Sequence, residues 1–165
     1  MQQRSRPQPT TPPPYDRGAE EWAVASALVL GAEQSPDCLA DLLQAVAPDD
    51  FYFEEHRNIW QAMVAVARRD GRTAVNQVTV AREMMQQGTF LEETRTRFGG
   101  ASSLVYMSLL ITDLPTPLLG QHMAKLIREI SRNRQAAQQA QRRADDIAAG
   151  RLPSRSGIGI PRVQV

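Results

Sequence analysis

Residues 116–150 read TPLLGQHMAKLIREISRNRQAAQQAQRRADDIAAG, and this segment has the pattern of one long helix. Thr116 and Pro117 supply an N-cap hydroxyl and a proline in the first helical position, a common way for a helix to begin. After Gly120 nothing interrupts the helical pattern until Gly150. A helix of about 33 residues is about 50 Å long. Because the rest of the chain is too small to cover such a helix, we expect it to project from a compact head.

Apolar and small side chains recur along this helix in steps of three, four, seven, three, four and three residues. Asn133 fills the seven-residue gap, so the spacing is that of a heptad repeat in a coiled coil. We call this set the seam: Met123, Leu126, Ile130, Ala137, Ala140, Ala144 and Ile147. The seam predicts a partner helix, since a projecting apolar stripe would otherwise face water. The alternative is a lone amphipathic helix that folds back on its own head.

Charge is unevenly distributed, although the formal net charge is only +1. Residues 16–113 carry 15 acidic and 8 basic side chains, a net charge of −7, whereas residues 114–165 carry 9 basic and 3 acidic, a net charge of +6. The candidate electrostatic contacts to a partner are Lys125, Arg128, Arg132, Arg134, Arg142 and Arg143. Such residues can bind nucleic acid weakly and without sequence preference, select a partner helix or simply solvate the surface.

Residues 15–113 are predicted to form a helical head, because apolar residues recur there at helical spacing and no alternating strand pattern is visible. The first helix is expected to run from about Asp16 to Leu30, with Gly31 as its C-terminal stop. Further helices are expected from Ser35-Pro36 onward and over about 54–69, 77–87 and 102–112, with a short helical turn over 91–96. The predicted fold class is all-α, a bundle followed by one long helix over residues 114–149.

The two ends of the chain are predicted to be disordered. Residues 1–14 hold five prolines and too little apolar surface to fold, and glycine and proline interrupt residues 150–165. No apolar run approaches the roughly 20 residues of a membrane span, and the N-terminus lacks the apolar stretch of a secretory signal. Together with a single cysteine, Cys38, these features predict a cytoplasmic protein without a membrane partner.

No catalytic constellation is visible, and we expect neither a metal nor a cofactor. Eighteen of the 19 basic residues are arginine, and the one lysine, Lys125, does not lie in the glycine-rich loop of a Walker A motif. The chain is therefore not predicted to be an ATPase by itself. His56 is interpreted as a partly buried histidine that bonds to backbone at a helix start, since a zinc site needs three or four converging ligands.

Two clusters near His56 also have structural interpretations. The acidic cluster of Asp49, Asp50, Glu54 and Glu55 flanks helix starts, where negative charge is favourable. The aromatic cluster of Phe51, Tyr52, Phe53 and Trp60 is interpreted as core rather than as a stacking surface for single-stranded nucleic acid.

Six short motifs follow one another along the chain. They are Pro12-Pro13-Pro14; Glu21 with Val24; Asp50-Phe51-Tyr52; His56 with Ile59; Gly99-Gly100 with Leu104; and Ile127-Arg128 onward to Arg134. In this order the chain resembles the N-terminal domain of the bacterial replicative helicase DnaB over residues 12–149. The first helix departs from the family pattern at Ala25-Ser26, where leucine and glycine are usual.

The resemblance implies a head and collar module that oligomerises and contacts a helicase, a primase or a helicase loader in the primosome. The family's long helix usually turns back into a second helix, and a RecA-like motor follows; neither is visible here. We therefore expect a non-catalytic replication protein that pairs with itself or with a full-length helicase. The alternatives are a small DNA-binding regulator that uses the basic long helix, and a fragment of a replicative helicase whose motor is encoded elsewhere.

Overall fold

The computed structural model describes residues 14–96, 99–114 and 116–151; apart from Pro14, Gly150 and Arg151, the predicted tails lie outside these ranges. The described residues are all-α, as predicted, apart from one small hairpin. The helices are α1 (Arg17–Ala32), α2 (Pro36–Ala45), α3 (Glu54–Asp70), α4 (Gln77–Gln87), α5 (Ser103–Thr112) and α6 (Gly120–Ala148). Short 3-10 turns cover Pro48–Asp50, Arg72–Ala74 and Pro117–Leu119.

The chain divides into two compact units, and the division falls inside α6. The first unit, Pro14–Ser131, contains the predicted head together with the first turns of α6. The described residues from Arg132 onward belong to the second unit.

Several helix ends lie where the sequence predicts them. α4 begins after Asn76, whose side chain accepts hydrogen bonds from two backbone amides at 3.0 and 3.1 Å, and it ends before Gly88 in the left-handed region. α3 ends before Gly71. Thr116 accepts a hydrogen bond of 3.4 Å from the amide of Leu118 and opens the turn that leads into α6. The side chains of Asn76 and Thr116 thus satisfy backbone amides that have no partner within the helix.

The segment after α4 differs from the prediction. In place of a helical turn over 91–96, β1 (Thr94–Thr96) and β2 (Gly99–Ala101) form an antiparallel pair. Threonine is β-branched and favours extended backbone. At the base of the hairpin, the amide of Leu91 donates to the hydroxyl of Ser103 and the amide of Ser103 donates to the carbonyl of Leu91, both at 2.9 Å. These long-range bonds outweigh the weak helical pattern of so short a segment.

The prediction that Gly31 stops α1 is wrong. The helix continues through Gly31 to Ala32, and Gln34, with a φ of +55°, makes the left-handed turn. Gly31 is buried, and a Cβ atom there would overlap the carbonyl oxygen of Val75. The glycine is therefore required by a close approach of two backbone segments rather than by a helix end.

A second close approach joins α1 to the first residue of α6. A Cβ atom on Gly120 would lie 2.7 Å from Cβ of Ser26 and 3.1 Å from a methyl group of Leu42. Ser26 is fully buried. Ser26 lies where the chain departs from the family pattern. Because its side chain is small, α1 and α6 still pack closely.

The apolar core of the first unit takes side chains from all six helices. Phe51 and Trp60 are fully buried with ring centroids 5.0 Å apart, and the indole nitrogen of Trp60 donates to the carbonyl of Val46 at 3.1 Å. The interpretation of these two rings as core is confirmed. Tyr52 and Phe53 are only partly buried and pack beside Tyr15 near the surface.

A buried polar cluster lies within this core and joins α1, α3 and α5. His56 on α3 is fully buried; its Nδ1 lies 2.8 Å from Oε2 of Glu20 on α1, and its Nε2 lies 2.7 Å from the hydroxyl of Tyr106 on α5. The Tyr106 hydroxyl donates to Oε1 of Glu21 at 3.1 Å. We call Glu20, Glu21, His56 and Tyr106 the polar cluster. The prediction for His56 is wrong, because the ring is completely buried and bonds to side chains of other helices rather than to backbone.

Glu20 also fixes the start of α3. Its carboxylate accepts hydrogen bonds from the amides of Tyr52 at 2.7 Å and Phe53 at 3.3 Å, immediately before the helix begins. Negative charge at this end of a helix is stabilising. Both oxygens of Glu20 are therefore used, one of them shared between His56 and the amide of Phe53.

The Tyr106 hydroxyl both donates and accepts in the polar cluster. A phenol has one hydrogen to give, and Tyr106 gives it to Glu21, so its oxygen accepts from Nε2 of His56. The other ring nitrogen of His56 lies against the carboxylate of Glu20. Burial, followed by the negative charge of Glu21, raises the pKa of the Tyr106 phenol far above its ordinary value, which keeps this hydroxyl protonated.

Replacing Gly31 by alanine tests the close approach of α1 to Val75. We expect Gly31→Ala to lower the free energy of unfolding by about 1–3 kcal/mol, since an added methyl group in a packed core forces the backbone to shift. The matched control is Gly18→Ala in the same helix, where the position is exposed and the nearest atom to a new Cβ is 3.5 Å away. That change should be stabilising by up to about 1 kcal/mol. Urea unfolding of the two variants measures both values, and equal effects would contradict the explanation.

Removing the Tyr106 hydroxyl tests the polar cluster. Tyr106→Phe should destabilise the protein by about 1–3 kcal/mol, because it removes the buried hydrogen-bond partner of Nε2 of His56 and one of the partners of Glu21. Tyr15→Phe removes the same group from a ring that is 49% exposed, and it should change the stability by less than about 0.5 kcal/mol. Thermal and urea unfolding provide the measurement; a Tyr106→Phe variant as stable as the parent would show that the cluster contributes nothing.

Candidate partner-binding site on the last helix

The beginning of α6 is buried rather than exposed. Gly120, Met123, Ala124 and Ile127 lie on one helix face, and the last three are part of the apolar core. The assignment of Met123 to a partner-binding seam is wrong, because this side chain is only 8% exposed and packs within its own chain. The buried face of α6 is therefore rotated about the helix axis relative to the predicted seam. Its centre is Ile127, which is one position after the seam residue Leu126.

The other seam residues become more exposed along the helix. Leu126 and Ile130 are partly buried, and Leu126 packs against the core. Beyond them, Ala137, Ala140 and Ala144 are exposed, and Ile147 is 43% exposed. We call these last four residues the distal seam. It is an apolar stripe with small side chains, held on a continuous helix that ends at Ala148.

Five of the six predicted electrostatic contacts are exposed. They are Lys125, Arg128, Arg132, Arg142 and Arg143. Arg134 is the exception: it is 8% exposed and interacts within the chain, so the prediction that it is available to a partner is wrong. Near the end of α6, Gln141 donates to Asp145 at 2.8 Å and Arg151 pairs with Asp146 at 2.9 Å. The distal seam is thus bordered by mixed charges.

The family-motif residues of the head hold it together. Those in the apolar core are Val24, Phe51 and Ile59. Those in the polar cluster are Glu21 and His56. Asp50 accepts a hydrogen bond of 3.0 Å from the amide of Ala47, and the amide of Tyr52 donates to Glu20. Gly99 and Gly100 form most of β2. The hydrogen bonds and core positions of these residues give them structural roles in the head.

Two further findings concern metal ions and membranes. Within the described ranges, no group of three or more histidine, cysteine, aspartate or glutamate side chains is placed to hold a metal ion. No single helix of the described chain has the length and apolar composition to cross a membrane. Only together do α5 and the segment Pro117–Ala148 reach that length and composition, and the two are bent by 102° relative to each other.

Sequence reasoning missed Glu20 and Tyr106, the two polar-cluster residues outside the recognised motifs. A signal for Glu20 exists: two consecutive glutamates stand in the first turns of a helix whose neighbours Ala19, Trp22 and Ala23 are apolar. A carboxylate buried on such a face requires a partner. No comparable pattern surrounds Tyr106, whose partners are 50 and 85 residues away.

The head matches a known domain in sequence. The family model described as the DnaB-like helicase N terminal domain matches residues 12–129. The replicative DNA helicase DnaB of Mycobacterium leprae (strain TN) is 32% identical over 117 residues, which are 71% of this chain and 17% of that protein. The replicative DNA helicase DnaB of Leifsonia xyli subsp. xyli (strain CTCB07) is 28% identical over 121 residues, 73% of this chain and 23% of the relative. The chain therefore spans about a fifth of the length of these relatives.

The fold agrees with a solved structure. The crystal structure of the N-terminal domain of DnaB helicase from Mycobacterium tuberculosis is similar with a TM-score of 0.67 and 28% sequence identity, over 84% of this chain and 88% of that chain. The sequence match, the shared all-α fold and the structural roles of the motif residues lead to one conclusion. The chain belongs to the DnaB-like helicase N-terminal domain family.

Proposed function

We propose that this chain is a non-catalytic DNA-replication protein of the cytoplasm that acts by oligomerisation and by contact with a replicative helicase, a primase or a helicase loader. The distal seam is the surface that binds the partner helix. The observation that carries the proposal is the exposure of Ala137, Ala140, Ala144 and Ile147 along one stripe of α6 in a domain of this family.

An exposed apolar stripe on a helix is covered favourably by a second helix, because apolar surface in contact with water is costly. Residues at positions 137, 140, 144 and 147 are spaced by three, four and three, so they face a partner that follows the same repeat. Alanine side chains allow two helix backbones to approach closely, and Ile147 adds a larger apolar contact near the end. The partner is a second copy of the chain or a related helix of a full-length helicase.

A catalytic role has no support from the buried ionisable groups. Glu20, Glu21, His56 and Tyr106 bond to one another in the core, where no substrate reaches them. Arg17 and Glu55 pair with each other at 2.7 Å beside this cluster. Groups that satisfy one another in this way stabilise a fold rather than transfer protons to a ligand.

A second candidate function, a DNA-binding regulator, is favoured by one specific observation. Lys125, Arg128, Arg132, Arg142 and Arg143 are all exposed on the same helix. Exposed arginines bind phosphates, and such binding weakens steeply with rising salt, because it is driven by the release of counterions. A salt titration therefore separates this candidate from helix pairing.

A glutamate in the distal seam tests the proposed function. Ala140→Glu should weaken self-association, or capture by the purified replicative helicase of the same organism, by about tenfold or more, because it places a charge in an apolar helix contact. Gln139→Glu adds the same carboxylate one residue away, outside the seam, and should leave both affinities within about twofold of the parent. Size-exclusion light scattering and a helicase capture assay give the measurements. Equal behaviour of the two variants would overturn the role of the seam.

Nucleic-acid binding by the exposed arginines should be weak. We expect no dissociation constant tighter than about 10⁻⁶ M for a labelled duplex or single strand at physiological salt. Fluorescence anisotropy over a series of salt concentrations measures this, with Arg142→Ala/Arg143→Ala as the comparison. Tight binding that falls steeply with salt and is lost in the double variant would favour the DNA-binding regulator instead.

A further inference from the structure

An open groove lies where the end of α1, the end of α5 and the beginning of α4 meet. Its volume is about 470 Å³, within the range of about 300–1,000 Å³ that is typical of ligand-binding pockets. We call it the α1–α4 groove. The polar cluster uses Glu20 and Glu21 in the first turns of α1, so the groove occupies a different part of that helix.

The close approach at Gly31 brings two walls of the α1–α4 groove together. Because Gly31 has no side chain, the carbonyl of Val75 can lie against α1 at this point. α4 begins two residues after Val75, at Gln77, so its first turn lies beside the last turn of α1. The third wall is Ile111, which belongs to the last turn of α5.

The apolar lining of the groove is aliphatic. Leu28 is fully buried, and Val29 and Ile111 are partly buried. Val78 is 56% exposed and lies in the first turn of α4, which contains no acidic residue. A valine there does not interact favourably with the helix dipole, as an aspartate or glutamate would. The exposed valine instead extends the apolar surface that a ligand can cover.

Two polar side chains of the groove are available to a ligand. Glu33 is exposed and is the only charged residue among those that line the groove; within the described ranges it makes no ion pair. Gln77 is partly buried, and its side chain makes no hydrogen bond to any described residue. Asn76 also lines the groove, but its carboxamide already makes three hydrogen bonds to the backbone.

The charge of the groove favours a cationic ligand. Residues 16–113 carry a net charge of −7, which attracts positive charge to the head. Glu33 follows the last residue of α1, where the carbonyl end of the helix adds partial negative charge. The carboxamide of Gln77 can both donate and accept a hydrogen bond, as the amide of a peptide backbone requires.

We propose that the α1–α4 groove binds a short peptide segment of another protein in which aliphatic side chains lie next to a lysine or an arginine. The aliphatic side chains pack on Val29, Val78 and Ile111. The peptide backbone hydrogen-bonds to Gln77, and the basic side chain pairs with Glu33. The groove shares no residue with the distal seam, so this contact goes beyond the proposed function and is independent of it.

Three synthetic peptides, blocked at both ends, test this chemistry on the full-length chain. Gly-Ile-Val-Arg-Gly should bind with a dissociation constant of about 10⁻³ M, because so short a ligand makes few contacts. Gly-Ile-Val-Glu-Gly should bind at least about threefold more weakly, since its charge repels Glu33. Gly-Ser-Ser-Arg-Gly should bind about tenfold more weakly, since it lacks the apolar contact. Saturation-transfer NMR titrations measure the three constants.

Reversing the charge of the groove should reverse the preference between the two charged peptides. Glu33→Arg is expected to bind Gly-Ile-Val-Glu-Gly more tightly than Gly-Ile-Val-Arg-Gly. Asp41→Arg changes the net charge by the same amount at an exposed position on α2 that does not line the groove, and it should keep the order of the parent.

A matched pair of valine substitutions tests the apolar contact. Val78→Thr should weaken binding of Gly-Ile-Val-Arg-Gly by about threefold. Val105→Thr makes the same change on α5, at a position that is 50% exposed and outside the groove, and should leave the affinity unchanged.

Four outcomes would overturn the proposal. They are no binding of Gly-Ile-Val-Arg-Gly by the parent, equal affinity of the parent for the two charged peptides, an order that Asp41→Arg also reverses, and equal effects of the two valine substitutions. Light scattering adds one more: weaker self-association of Val78→Thr would show that a second copy covers the groove instead. None of these results bears on the distal seam, which Ala140→Glu tests separately.

Discussion

The hydrogen bonds among Glu20, Glu21, His56 and Tyr106 join three helices of the head, α1, α3 and α5. Apolar packing is not directional, whereas each bond from His56 to Glu20 and Tyr106 requires one distance and one angle. The cluster therefore fixes how α1, α3 and α5 are rotated against one another. Because these groups are shielded from water, any arrangement that breaks one bond leaves a polar atom unsatisfied. The apolar side chains then pack between helices whose relative orientation is set by the polar cluster.

Small residues complete this arrangement at two places where backbones meet. Gly31 admits the carbonyl of Val75, and Gly120 admits the side chain of Ser26. The first turns of α6 consequently belong to the same core as α1 and α2. Farther along, the same helix exposes its apolar residues, and this change from buried to exposed is what separates the structural part of α6 from the part that we assign to partner binding.

The sequence was sufficient for the helical class, for most helix ends and for the long last helix, because these depend on local signals such as Asn76, Gly88 and Thr116. It was misleading where a long-range contact overrides a local signal. Gly31 resembles a helix stop but serves a close approach, and the 91–96 segment is held by bonds to Ser103. The heptad spacing identified the exposed distal seam but not the burial of Met123 and Arg134. A pattern built on apolar residues cannot detect a buried arginine.

The long-range hydrogen bonds also determine when the head can fold during synthesis. Glu21 and Tyr106 are separated by 85 positions, so nearly the whole head must leave the ribosome before this bond can form. Until then the Glu21 carboxylate has no phenol to donate a hydrogen bond to it, and the nascent helices cannot settle into a dry interior. We therefore expect the head to fold as one cooperative unit after α5 emerges, rather than helix by helix as it is translated.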